Sequence, residues 1–203
     1  HRLDAATAVP LARGANDRLH TAIKAHPTRL AAFATLPAID PKASADELER
    51  TVTKFGFKGA MVHGLTLIDG ARLFIDDRRF WPIFERAQAL DVPIYVHPAI
   101  PHPAVVDAYY KEYVKDFPSI VNAGWGFTVE TATQGIRLVL SGLFDAYPRL
   151  KIVLGHLGEG LPFSLWRIDH ALSRPGGKAI RFRETFREHF YITTSGNFST
   201  SAL

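Results

Sequence analysis

Three histidines stand at the ends of short apolar runs: His63 closes "AMVH", His97 closes "IYVH" and His156 closes "VLGH". Imidazole is a common ligand of divalent metals and titrates near neutral pH, so a cluster could bind a metal, move protons, or do both. One such histidine alone reads as a structural residue hydrogen-bonded to a neighbouring carbonyl; three at equivalent positions point to a site. Glu159 follows His156 by three residues across a glycine-rich turn. Its carboxylate could orient an imidazole or simply complement the dipole of the next helix, and spacing does not choose between the two. Arg167 lies two turns further on, off the stripe of Leu161, Leu165, Ile168 and Leu172, and its position is that of a surface arginine. The other six histidines fall at helical, terminal or loop positions and carry no such claim.

The histidines need a frame that brings strand ends together. Five apolar segments read as strands: Leu30 to Leu36, Phe57 to His63, Pro93 to His97, Lys151 to His156 and Phe190 to Ser195. None is followed by a hairpin signal, and their near-continuous apolar character predicts parallel strands buried on both faces. The segments between them are helical. Ser44 and Glu47 have capping-box spacing ahead of Leu48, Val52 and Phe55. Asp76 and Asp77 open a helix that carries Pro82 in its first turn and lines up Phe80, Phe84, Ala87 and Leu90. Ile136, Val139, Leu140, Leu143 and Tyr147 form a third stripe, stopped by Pro148.

Alternation of strand and helix leaves a (β/α)8 barrel or a doubly wound sheet. The glycines of "GHLGEG" do not have dinucleotide-binding spacing, which favours the barrel, here incomplete with five to six strands. The expected organisation is one partial barrel domain over residues 1–203. An active-site loop insertion is expected around 98–127, because about thirty aromatic- and proline-rich residues there break the alternation.

Composition narrows the chemistry. The chain has 203 residues, no cysteine, and a formal charge of +4 spread along its length. Without thiolates, any metal must be held by His, Asp or Glu. The densest basic cluster, "RFRETFREHF" (Arg181 to Phe190), carries two glutamates at helical spacing and reads as a solvated helix face, so no nucleic-acid partner is expected. No run reaches the length of a membrane span and the N-terminus lacks signal-peptide order, so the expectation is a cytoplasmic protein without a membrane partner. The chain begins at His1 and stops at Leu203 just after a strand-like segment, so both ends look cut.

"YVHP" (Tyr95 to Pro98), "SGLFDAYPRLKIVLGHLGEGLPF" (Ser141 to Phe163), "WRID" (Trp166 to Asp169) and "FYITTSGNF" (Phe190 to Phe198) resemble the amidohydrolase-superfamily decarboxylases of hydroxybenzoates. The resemblance runs in order from "ARGANDRL" (Ala12 to Leu19) through "GFKGAMVHG" (Gly56 to Gly64) to the end. It implies a metal-dependent, non-oxidative carboxy-lyase acting on an aromatic hydroxy acid such as a dihydroxybenzoate. It further implies one divalent ion, zinc or manganese, no organic cofactor, and a homo-oligomer in the complete protein. His97 matches a metal ligand, His156 and Glu159 match the proton-handling pair, Arg167 an active-site arginine, and Phe127 a pocket aromatic. His63 stands where γ-resorcylate-type enzymes commonly show asparagine, and it is expected to touch substrate. The family's Glu-x-His and Asp metal ligands have no counterpart in the chain. Two further readings stand beside this one: a metal-dependent hydrolase of a lactone or amide on the same barrel, and a catalytically incomplete fragment.

Overall fold

The computed structural model describes residues 3–173 and 177–196. The two chain ends and Asn197–Phe198 of the last motif lie outside the described residues.

The elements follow in chain order. Helix α1 (Ala5–Ala25) is capped by Asp4 and leads to strand β1 (Ala34–Thr35), helix α2 (Pro41–Phe55) and strand β2 (Ala60–His63). Strands β3 (Leu65–Ile68) and β4 (Ala71–Phe74) precede helix α3 (Trp81–Ala89) and strand β5 (Ile94–His97). Helix α4 (Gly126–Leu140), strand β6 (Ile152–Leu154), helix α5 (Leu161–Leu172), helix α6 (Phe182–His189) and strand β7 (Phe190–Ile192) complete the order.

The architecture is α/β. Five strands pair in parallel in the order β1-β2-β5-β6-β7, so each neighbours the next parallel strand along the chain. A doubly wound sheet reverses its order at a switch point; this one does not, and sequential winding is that of a barrel wall. Burial alternates along β2 and β5 rather than covering both faces as the apolar runs suggested, while all three residues of β6 are buried. Ala60, Val62, Ile94, Val96, Ile152 and Leu154 are at most 3 % exposed and pack in one core with Phe84 of α3 and Leu138 of α4. The other face carries Met61 and Tyr191, which are 38 % and 57 % exposed. Helices on one face only is the arrangement of a barrel wall, whose other face lines the interior that a closed barrel fills with side chains.

Several elements differ from the sequence expectation for local reasons. Strand β1 is two residues long rather than seven. A hairpin does follow β2: β3 and β4 pair antiparallel through Asp69 and Gly70, both at positive φ, which is the demand of a tight primed turn. Helix α2 is capped by Asp40, which accepts from the Ala43 N–H, with Pro41 at its first position; Ser44 sits buried inside the helix and is no cap. Helix α4 begins at Gly126 and buries Glu130, Thr131, Gln134, Gly135, Leu138 and Val139, whereas Leu140 is exposed. A left-handed Gly142 separates it from the short helix Leu143–Ala146. Residues 98–127, where a loop insertion was expected, contain short turns at Pro103–Val105, Val106–Tyr110 and Pro118–Val121. Among the described residues, no helix is long and apolar enough to cross a membrane.

Asn16 of α1 treats β1 as a neighbouring strand would. Its Nδ2 donates to the Thr35 carbonyl at 3.0 Å and its Oδ1 accepts from the Thr35 N–H at 3.0 Å. The same Nδ2 donates to Glu47 Oε1 at 2.8 Å, and Arg50 grips both oxygens of that buried carboxylate. Asn16→Ala removes this partner from the Thr35 N–H and carbonyl and takes one donor from Glu47, which keeps Arg50. It is expected to destabilise the fold by about 2–4 kcal/mol, read from urea denaturation at neutral pH. A loss below about 1 kcal/mol would show that water replaces the clamp.

Candidate functional site

His63 and His97 are register partners at the C-terminal ends of β2 and β5, on the face turned away from the helices. Their ring centroids are 5.1 Å apart at an interplanar angle of 75°. Both Nδ1 atoms lie 3.0 Å from the Pro98 carbonyl oxygen. A carbonyl only accepts, so in each neutral ring Nδ1 carries the proton and Nε2 is the lone-pair nitrogen. Burial holds His63 below the ordinary imidazole range against the opposing hydrogen bond to Pro98, and neighbouring His97 pushes the same way as burial.

His156 does not end its strand. Strand β6 stops at Leu154, Gly155 is extended, and His156, Leu157, Gly158, Glu159 and Gly160 all have φ between 51° and 76°. These five residues make one left-handed turn. Glycine adopts this conformation freely, while each of the three other residues costs roughly 1–2 kcal/mol in it. Main-chain bonds offset the strain: Leu157 N–H donates to Thr193 O at 2.7 Å and Gly158 N–H to Gly155 O at 2.7 Å. The turn brings Glu159 Oε1 to 2.5 Å from His156 Nδ1. Glu159 is 3 % exposed, and burial raises its carboxyl above the ordinary range, opposed chiefly by the His156 hydrogen bond, with Thr128 and His97 also favouring its charge. The carboxylate therefore orients the imidazole; it is not a helix-dipole charge, because α5 starts only at Leu161.

The remaining candidates divide between two hollows on either side of the start of α4. Phe127 and His63 share a cleft of about 840 Å³ with Pro98, Ala99, Ile100 and Arg72 of the hairpin. Arg167 is exposed and lines a groove of about 680 Å³ with Trp125, Thr128 and Glu159. Thus His63 and Phe127 line the cleft with His97 against the His63 ring, while Glu159 and Arg167 share the wall of the groove.

Sequence reasoning missed Glu130 and Gln134. They lie one turn apart on the inward face of α4, 5 % and 0 % exposed, with Gln134 Nε2 donating to Glu130 Oε1 at 2.5 Å. Glu130 Oε2, Gln134 Oε1, Thr131 Oγ1 and Glu159 Oε2 are buried with no hydrogen-bond partner. Burial pushes the Glu130 carboxyl up to about 7, against the Gln134 and Ala99 N–H groups and with repulsion from Glu159 adding. Their signal was present as the i, i+4, i+8 row Glu130, Gln134, Leu138.

Among the described residues, no three His, Cys, Asp or Glu side chains are grouped to hold a metal. His97 nevertheless fits as one ligand, because its Nδ1–H is committed to a carbonyl and its lone pair resides on Nε2.

Comparison with known proteins gives one consistent picture. The family described as Amidohydrolase matches residues 2–176. A γ-resorcylate decarboxylase from Polaromonas sp. is 44% identical over 98% of this chain and 62% of its own length. The crystal structure of a dihydroxybenzoic acid decarboxylase from Polaromonas sp., with bound manganese and the inhibitor 2-nitroresorcinol, superposes with a TM-score of 0.89 at 44% identity, covering 98% of this chain and 61% of that one. That of 5-carboxyvanillate decarboxylase from Sphingomonas paucimobilis gives 0.86 at 39% identity, covering 98% and 58%. The chain spans about three-fifths of the length of these relatives.

The buried carboxyls tie stability to pH. Glu130 titrates near 7 when folded and near 4.5 when unfolded, so the native state holds a proton that the unfolded chain releases. Stability is then fully present below pH 4.5 and falls as pH rises to about 7, by roughly 3 kcal/mol for this group. Glu159 shifts in the same direction. Glu130→Gln is expected to flatten most of that slope in urea midpoints taken between pH 5 and 7.5. Equal slopes in wild type and variant would contradict the assignment.

Proposed function

Because the chain belongs to the amidohydrolase family, we propose that its parent protein is a metal-dependent, non-oxidative decarboxylase of an aromatic hydroxy acid, with a dihydroxybenzoate as the model substrate. The His156–Glu159 pair carries this reading. A buried carboxylate on Nδ1 leaves Nε2 of His156 to take or return the proton of a ring hydroxyl, and the left-handed turn holds the pair in that pose.

Each other residue has a role consistent with its place. Phe127 supplies an aromatic wall for a planar ring, and His63 presents a neutral, Nδ1-protonated imidazole at the cleft mouth. Arg167 offers a permanent cation for an anionic substrate at the groove that Glu159 borders. His97 would hold a zinc or manganese ion through Nε2, and such an ion would supply Lewis-acid chemistry to the substrate. In the overall conversion a proton adds to the carboxyl-bearing carbon, the carboxylate departs as carbon dioxide, and the pair from the broken carbon–carbon bond restores the ring. Nothing in this balance needs an organic cofactor.

Incubating the complete protein, loaded with manganese or zinc, with 2,6-dihydroxybenzoate, 2,3-dihydroxybenzoate and a simple lactone tests the reading. Stoichiometric carbon dioxide and dihydroxyarene are expected from at least one benzoate, with none after chelation and recovery on adding metal back. Glu159→Gln and His156→Asn are expected to lower kcat about 10²–10⁴-fold. Turnover of the lactone alone would overturn the proposal in favour of a hydrolase.

A further inference from the structure

Gly155 lies between β6 and the left-handed turn, and its own backbone is extended, with φ −76° and ψ −174°, a conformation open to any residue. What glycine supplies here is room. A Cβ at this position would stand 2.7 Å from the Tyr95 hydroxyl and 3.3 Å from Ser195 Oγ. Thr193 Oγ1 completes the group, 2.8 Å from Ser195 Oγ and a longer 3.4 Å from the Tyr95 hydroxyl. Three hydroxyls, one from β5 and two from the segment after β7, therefore meet over a residue with no side chain. Tyr95 stands two residues before His97 and so on the same face of β5. Thr193 bonds both sides of Gly155 through its main chain: its N–H donates to the Leu154 carbonyl at 3.0 Å, and its carbonyl accepts from the Leu157 N–H at 2.7 Å. Ser195 precedes Gly196, where a Cβ would stand 2.5 Å from Cδ2 and 3.1 Å from Nε2 of His156. That Nε2 is the nitrogen left open by Glu159 on Nδ1.

We infer that Thr193 is a positioning residue whose hydroxyl, seated between Ser195 and Tyr95, fixes the main chain that closes the His156 turn and sets His156 Nε2 in register with the strand of His97. The Thr193 peptide bonds hold the start of this segment, and the bond between the Thr193 and Ser195 hydroxyls removes the backbone freedom that would let Gly196 swing off the imidazole ring. The contact with Tyr95 adds a reference point on a different strand, the one that carries His97. Proton transfer is sensitive to such placement, because a displacement of about 1 Å can cost about 100-fold in rate. The hold on the turn is independent of the decarboxylase reading; only its consequence for turnover rests on it.

The test compares two variants of the complete protein: Thr193→Val keeps the side-chain shape and removes the hydroxyl, whereas Thr193→Ser keeps the hydroxyl. In the metal-free protein, amide hydrogen exchange at Leu157 is expected to be about 5–10-fold faster in Thr193→Val, with the amides of β5 and β6 unchanged, and to return to the wild-type rate in Thr193→Ser. In the manganese-loaded protein, Thr193→Val is expected to lower kcat about 10-fold, with KM for the benzoate held within about twofold, and Thr193→Ser to recover most of it. Equal Leu157 exchange in wild type and Thr193→Val overturns the inference, as does a loss of kcat that serine does not recover. If Thr193→Val fails to fold, Ser195→Ala, at an exposed position, removes the partner hydroxyl instead and carries the same expectations. Faster Leu157 exchange in a protein that decarboxylates neither benzoate would support the hold on the turn while sinking the functional proposal.

Discussion

The in-register parallel pairing of His63 with His97 is the constraint on which the rest of the site depends. Side chains alternate faces along a strand, so a one-residue slip of β5 against β2 would turn one histidine toward the helices. Ala60 and Val62 on one strand and Ile94 and Val96 on the other forbid the slip, because all four are buried in the helix-facing core. Apolar packing on one face therefore sets the geometry of polar chemistry on the other. The Pro98 carbonyl then turns two neighbouring rings into one unit with a shared acceptor.

The second arm of the site is made by strain rather than by a strand. Three non-glycine residues in left-handed geometry cost together roughly 3–6 kcal/mol. Strain of this kind persists only where surrounding structure determines it, here the bond from Leu157 to Thr193 of the segment after β7 and the two glycines inside the turn. The backbone of Gly196 also closes on the His156 ring, so close that a Cβ there would lie 2.5 Å from the ring's Cδ2. The pair His156–Glu159 is consequently pinned from β6 and from the chain after β7 at once. Oriented groups held in a dry environment are what proton transfer needs, and they cost stability when idle.

Helix α4 shows the same exchange of stability for placement. Its C-terminal half is ordinary core, with Leu138 and Val139 against the sheet. Its N-terminal half carries Phe127 in the cleft, Thr128 beside Glu159, and buried Glu130 and Gln134 behind the histidines. Arg137 anchors the helix from outside by pairing with Asp76 and lying 4.0 Å over the Phe74 ring of the hairpin. One helix thus spans core and site, and the hairpin it grips forms a wall of the cleft.

The sequence alone determined the alternation of strand and helix, the strand-end positions of His63 and His97, and the family to which the chain belongs, because periodicity and strand-end residue type are local properties. It also held legible signals that the reading passed over: Asp69–Gly70 between two apolar runs, Asp40 before Pro41, and the polar row Glu130–Gln134 on an apolar face. Only the tertiary structure decided that helices cover one face of the sheet, that His156 and Glu159 meet in a left-handed turn, and that Glu130 and Gln134 are buried as a hydrogen-bonded pair. Burial on a strand's second face depends on what else packs there, and the hand of a backbone turn depends on a bond to a segment more than thirty residues away. The protonation of a buried carboxyl likewise depends on neighbours contributed by other elements. None of these is encoded at the residue where it is observed.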